Sequence, residues 1–128
     1  MIRFLRSRVR SFQAAFAGWW YVIRTQKNAW IHALATFCTL VMALWLNLPV
    51  RDWAVLFLAI AMVWTAEFLN TALEAVVDLA SPHQHPLAKV GKDVGAAAVL
   101  ITAMSSVIIG ILILGPPLYA RLNLLLHH

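Results

Sequence analysis

The chain has 128 residues, 62% of them hydrophobic, with a mean hydropathy of +0.80 and a net charge of +5. So apolar a composition excludes a soluble domain of this length and leaves room for one small membrane domain with a few spans. The positive charge is unevenly placed: Arg3, Arg6, Arg8, Arg10, Arg24 and Lys27 all precede the first long apolar run, which points to anionic lipid headgroups rather than nucleic acid.

Residues 2–16 are predicted to form an amphipathic helix, part of an interfacial unit and connector over 1–27. Ile2, Leu5, Val9, Phe12 and Phe16 form one stripe, Arg3, Arg6 and Arg10 flank it, and Phe4 breaks the pattern. Such a helix lies in the membrane interface, or packs its stripe on the other helices. Gly18 follows, and Trp19, Trp20 and Tyr21 are suited to the aromatic belt of a bilayer. A basic start that runs into an interfacial pattern predicts no cleavable signal peptide.

Three spans are predicted next. Residues 29–48 are long enough for a hydrocarbon core of roughly 30 Å, and a tight turn over Leu48-Pro49-Val50-Arg51-Asp52 ends them. Residues 53–80 form the second span, longer than a crossing requires. Ser81-Pro82-His83-Gln84-His85-Pro86 is a break with two prolines. The third helix, with a cytoplasmic entry segment, covers 87–118 at most, and Gly115-Pro116-Pro117 is predicted to stop it. The architecture expected is all-α: an interfacial helix plus three transmembrane helices. Cys38 stands alone, which excludes an internal disulfide, and reads as a small packed residue. His127-His128 closes the chain, a pair that also occurs as the remnant of a purification tag. The lysine and arginine distribution predicts a cytoplasmic N-terminus, a cytoplasmic 81–93 loop and an external C-terminus.

The second span carries the chemistry. Glu67, Asn70, Glu74 and Asp78 lie at i, i+3, i+7 and i+11, and three of the chain's five acidic residues are in this row. At about 100° per residue the three carboxylates fall within roughly 20° of one line, with Asn70 about 60° off it. Charge near hydrocarbon costs a few kcal/mol per residue, so a row of it marks a site. Counted from Trp53, Glu67 lies about 21 Å in, Glu74 about 32 Å and Asp78 about 38 Å. The row therefore runs from the inner leaflet to the cytosol and can join a lipid-borne group to a water-soluble one.

Carboxylates on one face suit Mg²⁺, a hard cation that takes oxygen ligands. Lys89 and Lys92 stand one helical turn apart beside Asp93 and suit phosphate. Asp93 is placed to cap the third helix or to face a metal. Together these groups suggest phosphoryl transfer, in which metal bridging and charge neutralisation matter more than covalent chemistry. No soluble-kinase phosphate loop is present, and Cys/His metal sites have no support. His83 and His85 read as solvated loop residues or nucleotide contacts. His32 reads as a packed or snorkelling histidine, and Asn28 as a helix cap or a polar partner of the acid face. Spacing alone also admits a non-catalytic polar network between helices, or ion or proton passage.

The stretches EFLNTALEAVVD over residues 67–78 and HPLAKVGKDVGAAAVL over 85–100 resemble the signature of the bacterial diacylglycerol kinase and undecaprenol kinase family, and HPLAK is more similar to the undecaprenol kinase branch. The resemblance implies an inner-membrane homotrimer, with sites shared between subunits, that phosphorylates a lipid alcohol using ATP and Mg²⁺. It implies Glu67 as the general base on the lipid hydroxyl and Glu74 as the holder of Mg²⁺. Asn70, Asp78, His85, Lys92 and Asp93 then contact nucleotide or support the site. Gln26 stands where the family has a metal-binding glutamate in a T-E-x-N pattern; the amide keeps an oxygen but loses the charge, so metal affinity should fall, and a degenerate member that binds nucleotide or lipid without turnover is the alternative. Trp30 also stands where the family often has a basic or polar residue.

Overall fold

The protein, seen in a computed structural model that describes residues 1–83 and 85–127, is built of four helices: α1 (Ile2–Thr25), α2 (Lys27–Trp45), α3 (Val50–Ala80) and α4 (Pro86–Leu126). The readings made for Gln84 and His128 fall outside the described residues. α2, α3 and α4 are each long and apolar enough to cross a membrane.

α1 runs past residue 16, the end of the predicted amphipathic helix, and through Gly18 to Thr25. One helical glycine costs only about 1 kcal/mol relative to alanine, and Ala14, Ala15 and Ala17 beside it favour helix. The helix ends at Gln26, whose backbone is extended at φ −100°, ψ 115°, so this one residue turns the chain from α1 into α2.

α2 stops at Trp45, before the predicted limit of 48, in a Schellman closure. Leu48 N donates to Ala43 O and Asn47 N to Leu44 O, and Asn47 takes the left-handed conformation at φ 52° that this closure requires. Asparagine is among the few residues other than glycine that adopt it readily. α3 starts three residues before the predicted boundary because Pro49 occupies the N-cap position, and its carbonyl accepts from Asp52 N and Trp53 N. Asp52 in the first turn complements the positive end of the helix.

α4 departs furthest from expectation. It begins at Pro86, with His85 at the N-cap accepting the Leu87 N–H on Nδ1 at 3.2 Å. Asp93, expected as a possible cap, is therefore inside the helix. Gly115-Pro116-Pro117 does not stop it either: both prolines lie within the helix, which continues to Leu126. Proline removes the N–H that would serve the carbonyl four residues back, but the other backbone bonds of an apolar helix have no water to turn to, and breaking them is the larger loss.

α3 and α4 form an antiparallel hairpin in which a Cβ on Gly91 would touch Val77 and one on Gly95 would strike Asn70. At the far end of the hairpin, Ala43, Leu48 and Leu56 are buried together, with Leu46, Trp53, Ile113 and Leu114 packed around them. α1 joins through Val22, which is buried, and through Trp19, stacked on Trp64 with ring centroids 5.3 Å apart. Most large apolar side chains of the spans face outward, as lipid-facing helices allow. Cys38 belongs to that outward face and is exposed rather than packed, because α2 turns its inner side to α3 through His32 and Thr36.

Candidate functional site

The acid row of α3 lies in three environments. Glu67, at its apolar end, is 1% exposed. Its carboxylate faces α2, with Oε2 3.7 Å from His32 Nε2. Aromatic rings enclose this region: Trp64 meets the His32 ring edge to face, and Phe68 and Trp19 lie beside Trp64. Trp64 is held in place by its Nε1 donating to Thr36 Oγ1 at 3.2 Å. The Thr71 hydroxyl donates to the Glu67 carbonyl, so it adds nothing to the polar surface of the pocket.

Two turns further on, Glu74 sits in a cradle of amides. Gln26 Nε2 donates to Glu74 Oε2 at 3.2 Å, and Asn70 Nδ2 donates to Oε1 at 3.1 Å. Gln26 reaches this position because it is the turning residue between α1 and α2, 48 positions away in sequence. Asn70, about 60° off the row by helical geometry, faces α4 and still reaches its i+4 neighbour. Its Oδ1 is buried without a hydrogen-bond partner.

Past Glu74 the row opens to solvent. Asp78 forms an ion pair with Lys92 that ties the end of α3 to the start of α4. Both line an open cleft of about 810 Å³ together with Ser81, His85, Lys89 and Asp93. That volume falls within the range of small-molecule sites. Two lysines at the mouth, one paired and one unpaired in the described residues, suit a polyanion. Among the described residues no three acidic, histidine or cysteine side chains converge as a ready metal cage.

The structure thus brings Gln26, Asn70 and Glu74 into one cluster. It gathers Asp78, His85, Lys92 and Asp93 around one cleft, and leaves Glu67 apart from both groups, buried on the same helix. Asn28 is exposed, one residue into α2, and caps nothing. Sequence reasoning missed two partners. The reading of His32 as packed or snorkelling holds in that the ring packs on Trp64, but it leaves out Glu67 opposite; as the only basic side chain within residues 29–48, His32 carried that signal. Gly95 carried no signal at all, because its role depends on what stands opposite.

Residues 13–114 match the sequence pattern described as prokaryotic diacylglycerol kinase. Over 109 residues the chain is 41% identical to an undecaprenol kinase of Bacillus subtilis, covering 85% of this chain and 89% of that protein. It is 44% identical over 109 residues to a diacylglycerol kinase of Synechocystis sp., covering 84% of this chain and 62% of that one. A diacylglycerol kinase of Escherichia coli is 35% identical over 89 residues, 64% of this chain and 73% of the other.

Proposed function

The chain belongs to the prokaryotic diacylglycerol kinase family, and on that premise we propose that it is a lipid kinase. In this reading it moves the γ-phosphate of ATP to the hydroxyl of a membrane lipid alcohol, with undecaprenol the favoured acceptor and diacylglycerol second. The observation that carries this reading is the division of one helix face into a buried carboxylate at Glu67 beside aromatic side chains, an amide-cradled carboxylate at Glu74 and an open cleft with lysines at Asp78. Glu74 stands seven positions beyond Glu67, about 10 Å along the axis, so phosphates held at Glu74 extend towards Glu67.

Glu67 accepts the proton of the lipid hydroxyl. The hydroxyl oxygen then bonds to the γ-phosphorus, the bond to the bridging oxygen breaks, and ADP leaves with that electron pair. Lys92 and Lys89 neutralise phosphate oxygens, while Asp78 orients Lys92 and Asp93 and His85 flank the nucleotide. Glu74 would hold Mg²⁺, which takes one or two carboxylates beside substrate oxygens, with the Gln26 amide oxygen as a neutral addition; Asn70 turns its Nδ2 to Glu74 and its Oδ1 to Gly95, and so steadies the carboxylate instead. When bound there, the ion would neutralise charge on the phosphoryl group being transferred.

The undecaprenol preference has two supports. The Bacillus subtilis undecaprenol kinase is covered over nearly its whole length. The pocket walls at Glu67 are aromatic, with Thr36 and Thr71 already engaged. A polyprenol needs only its hydroxyl satisfied, whereas the ester carbonyls of diacylglycerol need further donors. We further assign α1 to the inner-membrane interface, with a cytoplasmic N-terminus and active site and an external C-terminus, and a homotrimer whose subunits cover one another's acid rows.

In detergent or bicelles, the protein with ATP and Mg²⁺ is expected to phosphorylate undecaprenol faster than diacylglycerol. Turnover of neither lipid, with Gln26→Glu also inactive, sinks this reading. Gln26 supports one rival, a member that binds nucleotide without turnover, and metal-dependent nucleotide binding in the absence of product would establish it. Gln26→Glu replaces an amide donor with a second carboxylate beside Glu74. Without Mg²⁺ the two charges repel and the variant should melt below the parent. With Mg²⁺ the order should reverse, and half-maximal activity should need on the order of tenfold less metal, as added ligand charge strengthens such sites. Identical metal titrations would remove Gln26 from the site. Lys92→Met should raise the Michaelis constant for ATP about tenfold with little change for the lipid; a matching rise for both substrates would mean that Lys92 shapes the fold and not the nucleotide site.

A further inference from the structure

The pocket at Glu67 contains two buried polar atoms that face each other without a bond. His32 Nε2 and Glu67 Oε2 both lack a hydrogen-bond partner. Their separation of 3.7 Å is too long for a hydrogen bond. Their side chains are 13% and 2% exposed, so bulk water does not serve them. Buried polar groups left unmade are costly and call for an account. His32 lies on the inner side of α2, and its ring is braced edge-on by Trp64, which Thr36 holds in turn.

We propose that His32 positions the acceptor hydroxyl, which sits between His32 Nε2 and Glu67 Oε2. An oxygen about 2.8 Å from each atom stands about 2 Å to one side of the 3.7 Å line between them, and because both atoms are closed to solvent it enters only as the side chains around them part. In that place the hydroxyl donates its proton towards Glu67 and accepts the N–H of His32. With both of those directions fixed, one lone pair remains free to attack the γ-phosphorus. His32 keeps its own proton throughout, and Glu67 receives the one that the alcohol releases. The arrangement recognises a lone alcohol and nothing else of the lipid. It rests on the lipid-kinase reading above and adds a residue on α2 to a site otherwise drawn from α3, α4 and the α1–α2 turn.

The test is a pair of substitutions in the full chain, assayed in bicelles with ATP, Mg²⁺ and a polyprenol. His32→Phe fills the same space without a donor. It should lower kcat/KM for the polyprenol on the order of 100-fold, the scale of a misplaced reacting group, and leave the Michaelis constant for ATP unchanged. His32→Gln carries an amide N–H near the position of Nε2 and should recover to within about tenfold of the parent. A residue that only packs would give the opposite order, since phenylalanine suits an apolar pocket better than glutamine. Melting of both variants in micelles, alongside the parent, checks that each is folded. Full activity of the phenylalanine variant, or a glutamine variant no better than it, overturns the proposal while the kinase reading stands. A parent chain that phosphorylates no lipid, with Gln26→Glu equally silent, overturns both.

Discussion

Glu67→Gln is expected to reduce lipid phosphorylation by about 10²- to 10⁴-fold, the usual contribution of a positioned general base, while nucleotide binding persists. The amide has the shape of the carboxylate and remains opposite His32, so the pocket keeps its packing. What disappears is the ability to take a proton from the alcohol. The nucleotide groups lie two turns or more along α3 and on α4, too far to sense the change directly. Rates with undecaprenol and ATP, set beside binding of an ATP analogue to the same preparation, separate these effects. Turnover near that of the parent would remove Glu67 from the chemistry. Loss of nucleotide binding as well would mean that the pocket and the cleft are coupled through structure.

Gly95→Ala should damage both stability and activity, and for one reason. A Cβ at this position would collide with Asn70 Oδ1 and lie 3.0 Å from Leu73 Cδ2. Asn70 is buried, and its Nδ2 is committed to Glu74 Oε1, so the side chain has little room to yield. Overpacking of this kind costs about 1–3 kcal/mol, of which alanine's better helix propensity returns at most about 1 kcal/mol. The remainder should appear as a lower midpoint in unfolding of the detergent-solubilised protein. If Asn70 yields instead, it releases Glu74, and activity should fall with the midpoint. The double substitution Gly95→Ala with Asn70→Ala makes room for the methyl group, so stability should recover relative to the sum of the single changes. Additive effects would show that the two residues do not meet. Gly91→Ala offers a contrast on the same face: its Cβ would lie 3.8 Å from Val77, ordinary contact, and it should be tolerated.

Much of the fold is legible in the sequence. Runs of about 20 apolar residues, punctuated by Pro49 and by the Pro82 and Pro86 break, define three long helices, because the hydrocarbon thickness and the need to satisfy backbone groups leave few choices. Helix ends were read less well. They depend on single capping interactions, such as the Schellman closure at Asn47 and the His85 cap, that hydropathy does not register. The Pro116-Pro117 pair was overread as a stop, since a rule learned where water can serve freed carbonyls weakens where it cannot.

The candidate site divides in the same way. A period of 3.6 residues and the scarcity of charge were enough to align Glu67, Glu74 and Asp78 and to predict a path from lipid to cytosol, because helical geometry is local. The meeting of Gln26 with Glu74, the placing of His32 against Glu67 and the accommodation of Asn70 by Gly95 depend on how α2 and α4 lie against α3. Those contacts join residues far apart in the chain, and the packing of whole helices decides them; no spacing along the sequence encodes a distance across an interface.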